Sequence, residues 1–253
     1  MINKIVNLIK RSFKTTFITL ATIYIIGSLP FQVKETTLVN PETNQTIVFQ
    51  ETVHYAELSF FNIINSRKDN YINEGFTHFY EQVNFTTEDM KKFESKLGYA
   101  KEVSRLFTKV DLKSEMTHLK KDNINSVRAD VDSKELLSKI KSEATYNNTV
   151  INERIKEEVL KIDSNLEKHF VRTLMKTSLK LNLFLQELDI YLINEDFKNS
   201  VIDFRNKELV YKMISSDKNI YVTYGALHAK GVIDILKELG FEEKESIKLV
   251  GIR

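Results

Sequence analysis

The chain has 253 residues, 42% of them hydrophobic, which is enough for one substantial core, and its formal net charge of +2 leaves no overall field to hold a polyanion. Nucleic acid is therefore not an expected partner. There is no cysteine, so disulfides, thiolate metal ligands and cysteine nucleophiles are excluded, and any metal site must be built from His, Asp or Glu. Lys4, Lys10, Arg11 and Lys14 precede an apolar run from Thr15 to Leu29, which Pro30 closes. That pattern predicts a signal-anchor over residues 1–31. The run is shorter than the roughly 20 residues a bilayer core needs, as in a signal peptide, but no small-x-small pair follows it for cleavage, which favours an uncleaved anchor. The basic flank stays cytoplasmic by the positive-inside rule, so the main domain is expected on the extracytoplasmic side, or secreted if the segment is cleaved. A core helix of a cytosolic protein is the plainer alternative; the dense basic flank and the missing polar stripe argue against it.

After the anchor, VKETTLV and TIVFQETV alternate apolar and polar residues around NPETNQ, the pattern of a β-hairpin. Leu58, Phe61, Ile64 and Ile72 predict an amphipathic helix from Glu57 to Asn73, stopped by Gly75. FTHFYEQV follows as a strand. Residues 86 to 125 are charged and weakly periodic, as in short surface helices; INSVRADV predicts another strand, with Ser133 as N-cap of the next helix. From Val150 to Leu192, the positions Ile155, Val159, Ile162, Leu166, Phe170, Leu174, Leu181, Phe184 and Leu188 recur at helical spacing. They predict a helical hairpin or one long helix packed over its own domain; a coiled-coil seam is the alternative. Helix continues from Phe197 to Ser215, NIYVTYG is a strand, Lys230 to Leu239 a helix stopped by Gly240, and SIKLVGI a final strand. Strand and helix alternate at both ends, which implies an α/β layered sheet with its helical middle inserted between the halves.

Two histidines stand in matching corners. His228 ends YVTYGALH and His54 follows TIVFQETV, each placed after a strand and before a helix, where α/β sheets bind ligands. Gly225 would let the chain turn tightly beside His228, and the helix beyond offers free N–H donors to an anion. A loop histidine with a satisfied hydrogen bond is the plain reading of each. Glu81 ends an aromatic strand, where a carboxylate is costly to bury unless it is paired; an exposed strand end is the competing reading. His78 points to the opposite face and is the weaker candidate. In DFRN, Arg205 could clamp a carboxylate or stabilise an oxyanion beside Asp203 and Asn206, although a solvated helix face is commoner. Asp130 in VRADVD ends at a further corner, with capping by Asp132 or Ser133 as its plain competitor. His118 and His169 lie in charged surroundings and are expected at the surface. No phosphate loop, nucleophile elbow or zincin helix is present.

These residues, in this order, resemble the TraB/TIKI superfamily, related to erythromycin-esterase-like (EreA-like) and ChaN-like proteins. The matching stretches are QETVHYAELSFFNIIN, GFTHFYEQV, VRADVD, VIDFRNKELVYKMI and above all NIYVTYGALHAKGVIDILKELGF, which looks like the family's second G-x-x-H motif with its helix. The resemblance runs from about Val33 to the C-terminus and is thin from Thr86 to Asn123 and through the helical middle. It implies a mixed β-sheet flanked by helices over residues 32–253, with a helical insertion at about 86–197. It also implies that His54 and His228 are the motif histidines, Glu81 the acidic residue after the second strand and Arg205 the family arginine. The group includes metal-dependent proteases acting on extracellular peptides, and proteins that limit peptide pheromone activity. One departure stands out: the first motif normally has Gly three residues before its His, and here that residue is Glu51.

The expectation is a membrane-anchored hydrolase acting on peptide bonds. His54, Glu81 and His228 would hold a divalent ion, Mn, Co, Zn or Fe, that makes a bound water nucleophilic. Arg205 would stabilise the oxyanion. A non-catalytic tethered binder that sequesters a peptide or partner is the alternative, motivated by Glu51 and the long helical segment; a small-molecule esterase is a third. Natural substrate and oligomeric state are not legible.

Overall fold

The computed structural model describes residues 27–89, 91–92, 106–121, 123–139, 162–187 and 198–253. The expected anchor thus lies outside the described residues as far as residue 26, and no described helix is long and apolar enough to cross a membrane.

Period-two alternation gives the expected hairpin. Strand β1 (Phe31–Val39) pairs antiparallel with β2 (Thr46–Thr52), Glu35 opposite Gln50 and Val39 opposite Thr46. Asn40 Oδ1 closes the turn by accepting the N–H groups of Glu42 at 2.9 Å and Thr43 at 3.1 Å, while Asn44 takes a left-handed φ of 59°. After the short β3 (Tyr55–Ala56) comes helix α1 (Leu58–Asn73), which ends where Gly75 adopts φ +92°. The chain continues through β4 (Thr77–Tyr80), β5 (Lys113–Ser114), α2 (Glu115–His118), β6 (Ser126–Arg128), α3 (Ser133–Lys139) and α4 (Asn165–Glu187). A π-helical turn, Lys198–Asp203, runs directly into α5 (Phe204–Ile214), followed by β7 (Ile220–Gly225), α6 (Ala226–Glu238) and β8 (Glu242–Ile252).

Six of these strands form one mixed sheet in the order β6-β4-β7-β2-β1-β8, and β3 and β5 pair separately. Strands β6, β4, β7 and β2 are mutually parallel; β1 runs antiparallel to both β2 and β8. Strands far apart in sequence meet at the centre, where β2 and β7 pair from Ile47 opposite Ile220 to Thr52 opposite Gly225. Both strands are buried at nearly every position because helices cover both faces. On one face Phe49, Val222 and Tyr224 pack against Leu209 and Met213 of α5 and Val232 and Leu236 of α6. On the other, Phe31, Val33 and Ile252 meet Phe60, Phe61 and Ile64 of α1 and Val171, Met175, Leu179 and Leu183 of α4.

Three expectations change. The stripe Leu166, Phe170, Leu174, Leu181 and Phe184 was expected to pack over the domain, and all five are at least 40% exposed; the packing stripe is Val171, Met175, Leu179 and Leu183. Helix α4 carries two apolar stripes, and spacing alone does not say which one the sheet takes. Strand β6 falls inside the stretch 86–197 expected as a helical insertion, yet it is an edge strand of the main sheet. Helix α6 begins at Ala226 rather than near Lys230, so β7 enters it with no intervening turn. Ile155, Val159 and Leu188 lie outside the described residues.

Candidate active site

The parallel register fixes which side chains can meet. Strands β4, β6, β7 and β2 end at one edge, so the residues just beyond them, Glu81, Asp130, the Gly225–His228 segment and His54, lie along that edge. Helix α5 then lays Arg205 across it.

Arg205 is the hub. Its Nε donates to Asp130 Oδ1 at 2.8 Å and its Nη2 to Asp130 Oδ2 at 2.6 Å, a bidentate fork, while Nη2 also donates to Glu81 Oε1 at 2.6 Å. Its third nitrogen, Nη1, lies 3.3 Å from His228 Nε2. All four side chains are buried. Asp130 Oδ1 further accepts Tyr224 OH at 3.1 Å and the Val131 N–H at 2.8 Å. Glu81 Oε2 accepts the Gly225 N–H at 2.5 Å, at the mouth of helix α6, whose dipole favours a carboxylate there. A Cβ on Gly225 would stand 2.9 Å from that oxygen. With φ −56°, Gly225 is needed for this close approach and not for the tight turn expected of it.

His228 is the third residue of α6. Asn206 Oδ1 lies 2.7 Å from its Nδ1, so the proton sits on Nδ1 and the Nε2 lone pair faces Arg205. Burial first, and Arg205 second, lower the His228 pKa to about 3, leaving a neutral ring. Burial pushes Glu81 upward, but Arg205, His228 and His54 outweigh it and hold the carboxyl well below its ordinary range. Arg205 stays charged despite burial because Glu81 and Asp130 face it.

His54 is in a different environment. It is electrostatically coupled to Glu81, Arg205 and His228, but its side chain is 75% exposed and its Nδ1 pairs with Glu115 Oε2 at 3.1 Å. The hydrogen bond to Glu115 raises its pKa to about 9, so the ring is an imidazolium at neutral pH. Glu115 is itself buried and accepts Thr52 Oγ1 at 3.3 Å.

A metal held by His54, Glu81 and His228 does not fit this arrangement. Both Glu81 oxygens and the His228 Nε2 lone pair are turned to N–H groups, and the Arg205 guanidinium occupies the place of a cation shared between them. The Nδ1 of His54 is taken by Glu115. Among the described residues no group of three or more His, Asp or Glu is placed to hold an ion.

The remaining candidates fall outside the cluster. Asp203 pairs with Lys198 Nζ at 2.7 Å. Glu51 lies on β2, buried, and accepts the Lys34 N–H at 2.8 Å. His78 is buried between Ser126 Oγ and Thr223 Oγ1, each at 2.9 Å, and burial lowers its pKa to about 3. Ser133, expected as an N-cap, donates its hydroxyl to Asp89 at 2.8 Å. Asp132 accepts Arg128 Nη2 at 2.6 Å. His169 is exposed and His118 half-buried.

Sequence reading did not single out Tyr224, Glu115 or Gly231, and gave Asn206 no role. A Cβ on Gly231 would overlap Asn206 Nδ2, so glycine in mid-helix makes the room that lets Asn206 orient His228. No family model matches the chain, and comparison with curated proteins and with solved structures gives no match either.

Proposed function

We propose that this chain is a membrane-anchored hydrolase of the TraB/TIKI type, acting on extracytoplasmic peptides at the corner where Glu81, Arg205 and His228 meet. The reading takes the sheet as EreA/ChaN-like, with a helical insertion and an N-terminal membrane helix. One observation carries it: a buried carboxylate, guanidinium and neutral imidazole, from three separated stretches of the chain, converge at the carboxyl ends of adjacent parallel strands. Arg205 supplies fixed positive charge where a carbonyl oxygen would become an oxyanion. His228 offers a lone pair to the proton of an attacking water. An imidazole with a pKa near 3 is a feeble base, so turnover requires a substrate that draws Arg205 away from Nε2. A divalent ion would have to displace the same guanidinium.

The test is hydrolysis of a peptide library by the full chain in detergent, with chelator and then with added Mn, Co, Zn or Fe. Turnover is expected to disappear in His228→Gln with the fold retained by circular dichroism. Turnover that survives this substitution removes the site. Dependence on added metal would show that Arg205 yields its place to the ion.

The fully satisfied Arg205 fork favours a second reading, a tethered binder in which the cluster is a structural keystone. Tight capture of peptides from the same library, with none cleaved under any metal condition, supports it over the hydrolase.

A further inference from the structure

A concave site elsewhere involves none of the strand-end cluster Glu81, Asp130, Arg205 and His228. A cleft of about 470 Å³ opens where α4 faces the entry to α1 and the end of β8, lined by Glu57, Asp111, Lys168, Arg172, Lys176 and Arg253 among others. Lys168, Arg172 and Lys176 are four residues apart, so successive turns of α4 stack them on one face. Two of them have partners: Arg172 Nη2 donates to Glu57 Oε1 at 2.7 Å, and Lys168 Nζ lies 3.6 Å from Asp111 Oδ2. The backbone N–H of Arg253 donates to the same Glu57 oxygen at 2.8 Å.

Lys176 differs from its neighbours. It is only 3% exposed, lines the cleft, and has neither a hydrogen bond nor an ion pair among the described residues. Burial, then Arg172, lower its pKa. Four cationic side chains thus line the cleft against two carboxylates, an excess of positive charge that an anion entering the cleft would balance.

We propose that this cleft is an oxyanion site that takes a phosphate group, free in solution or in a lipid headgroup, on Lys176 and Arg172. A lysine whose stem merely packs along apolar surface would need no such ligand.

The test follows the thermal midpoint of the full chain in sodium phosphate or pyrophosphate against sodium chloride at equal ionic strength. A rise of roughly 5 °C or more is expected at a hundredfold excess over Kd, and none in Lys176→Met. Lys176→Met keeps the stem and removes an unpaired charge, so it should fold; Lys176→Gln serves as a second variant. Equal midpoints in phosphate and chloride overturn the proposal, as does an equal rise in wild type and variant. Vesicles of phosphatidylcholine with and without phosphatidylglycerol separate the sources. Extra binding that needs both phosphatidylglycerol and Lys176, and that free phosphate competes away, assigns the headgroup; a phosphate-dependent midpoint with no such extra binding assigns the soluble anion.

Discussion

His54 and His228 occupy equivalent places, each just past the end of one of two neighbouring parallel strands, and their chemistry is opposite. The His228 ring is buried, has both nitrogens turned to partners and is kept neutral beside a guanidinium. The His54 ring lies mostly in solvent and is kept charged by a carboxylate. Position in an α/β sheet therefore decides which residues reach the edge, while the neighbours contributed by helices decide what those residues can do. Burial, reinforced by Arg205 from α5, keeps one ring neutral, and the hydrogen bond to Glu115 from α2 keeps the other charged.

The largest break in this contrast comes from removing the hub. Arg205→Met leaves Asp130 and Glu81 buried without their counter-ion, and urea denaturation should show a loss of about 3–5 kcal/mol. A loss below about 1 kcal/mol would mean that water already reaches the two carboxylates.

Acid should act next. His228 and His78 have native pKa values near 3, below the ordinary 6.5, so between these values the unfolded chain binds more protons and stability falls as pH drops from about 6.5 toward 3. Urea midpoints across that range check the direction, and His228→Gln should flatten the slope. His54 carries the opposite sign: its contribution is present below pH 6.5 and lost as pH rises through about 9. Its exposure shrinks that contribution through solvent screening.

Gly231→Ala sharpens the contrast from the His228 side. The new methyl group displaces Asn206 and with it the partner of Nδ1, for a loss of about 1–3 kcal/mol and a changed imidazole nitrogen NMR signature. The smallest effect is expected at the exposed corner. His54→Gln should cost no more than about 1 kcal/mol, and Glu115→Gln should bring the His54 titration, followed by NMR, from about 9 back toward 6.5.

Much of the sheet was legible in the sequence because alternation and turn residues act locally. The hairpin around Asn40, the stop at Gly75 and the strand NIYVTYG needed no tertiary information. Of the expected group His54, Glu81, Arg205 and His228, the last three meet, joined by Asp130, while His54 turns to Glu115. Their partners were not legible, because Asn206, Glu115 and Tyr224 acquire roles only through contacts more than 20 or 60 residues apart in the chain. Nothing in the local pattern says that Arg205 would consume the lone pairs expected to bind a metal. The face of α4 was misread for a related reason: its two apolar stripes are equally periodic, and only the partner surface chooses between them.

The π-helical turn at Lys198–Asp203 sets the direction in which Arg205 and Asn206 leave the helix that follows. Such a turn holds one residue more than an α-helix of the same path would. Deleting a single residue there would let the backbone relax to ordinary winding, swing Arg205 and Asn206 by about 100° around the axis and draw them back about 1.5 Å. An entire constellation would be dismantled without touching any of its members, and the length of that short segment is as much a part of the site as the side chains it aims.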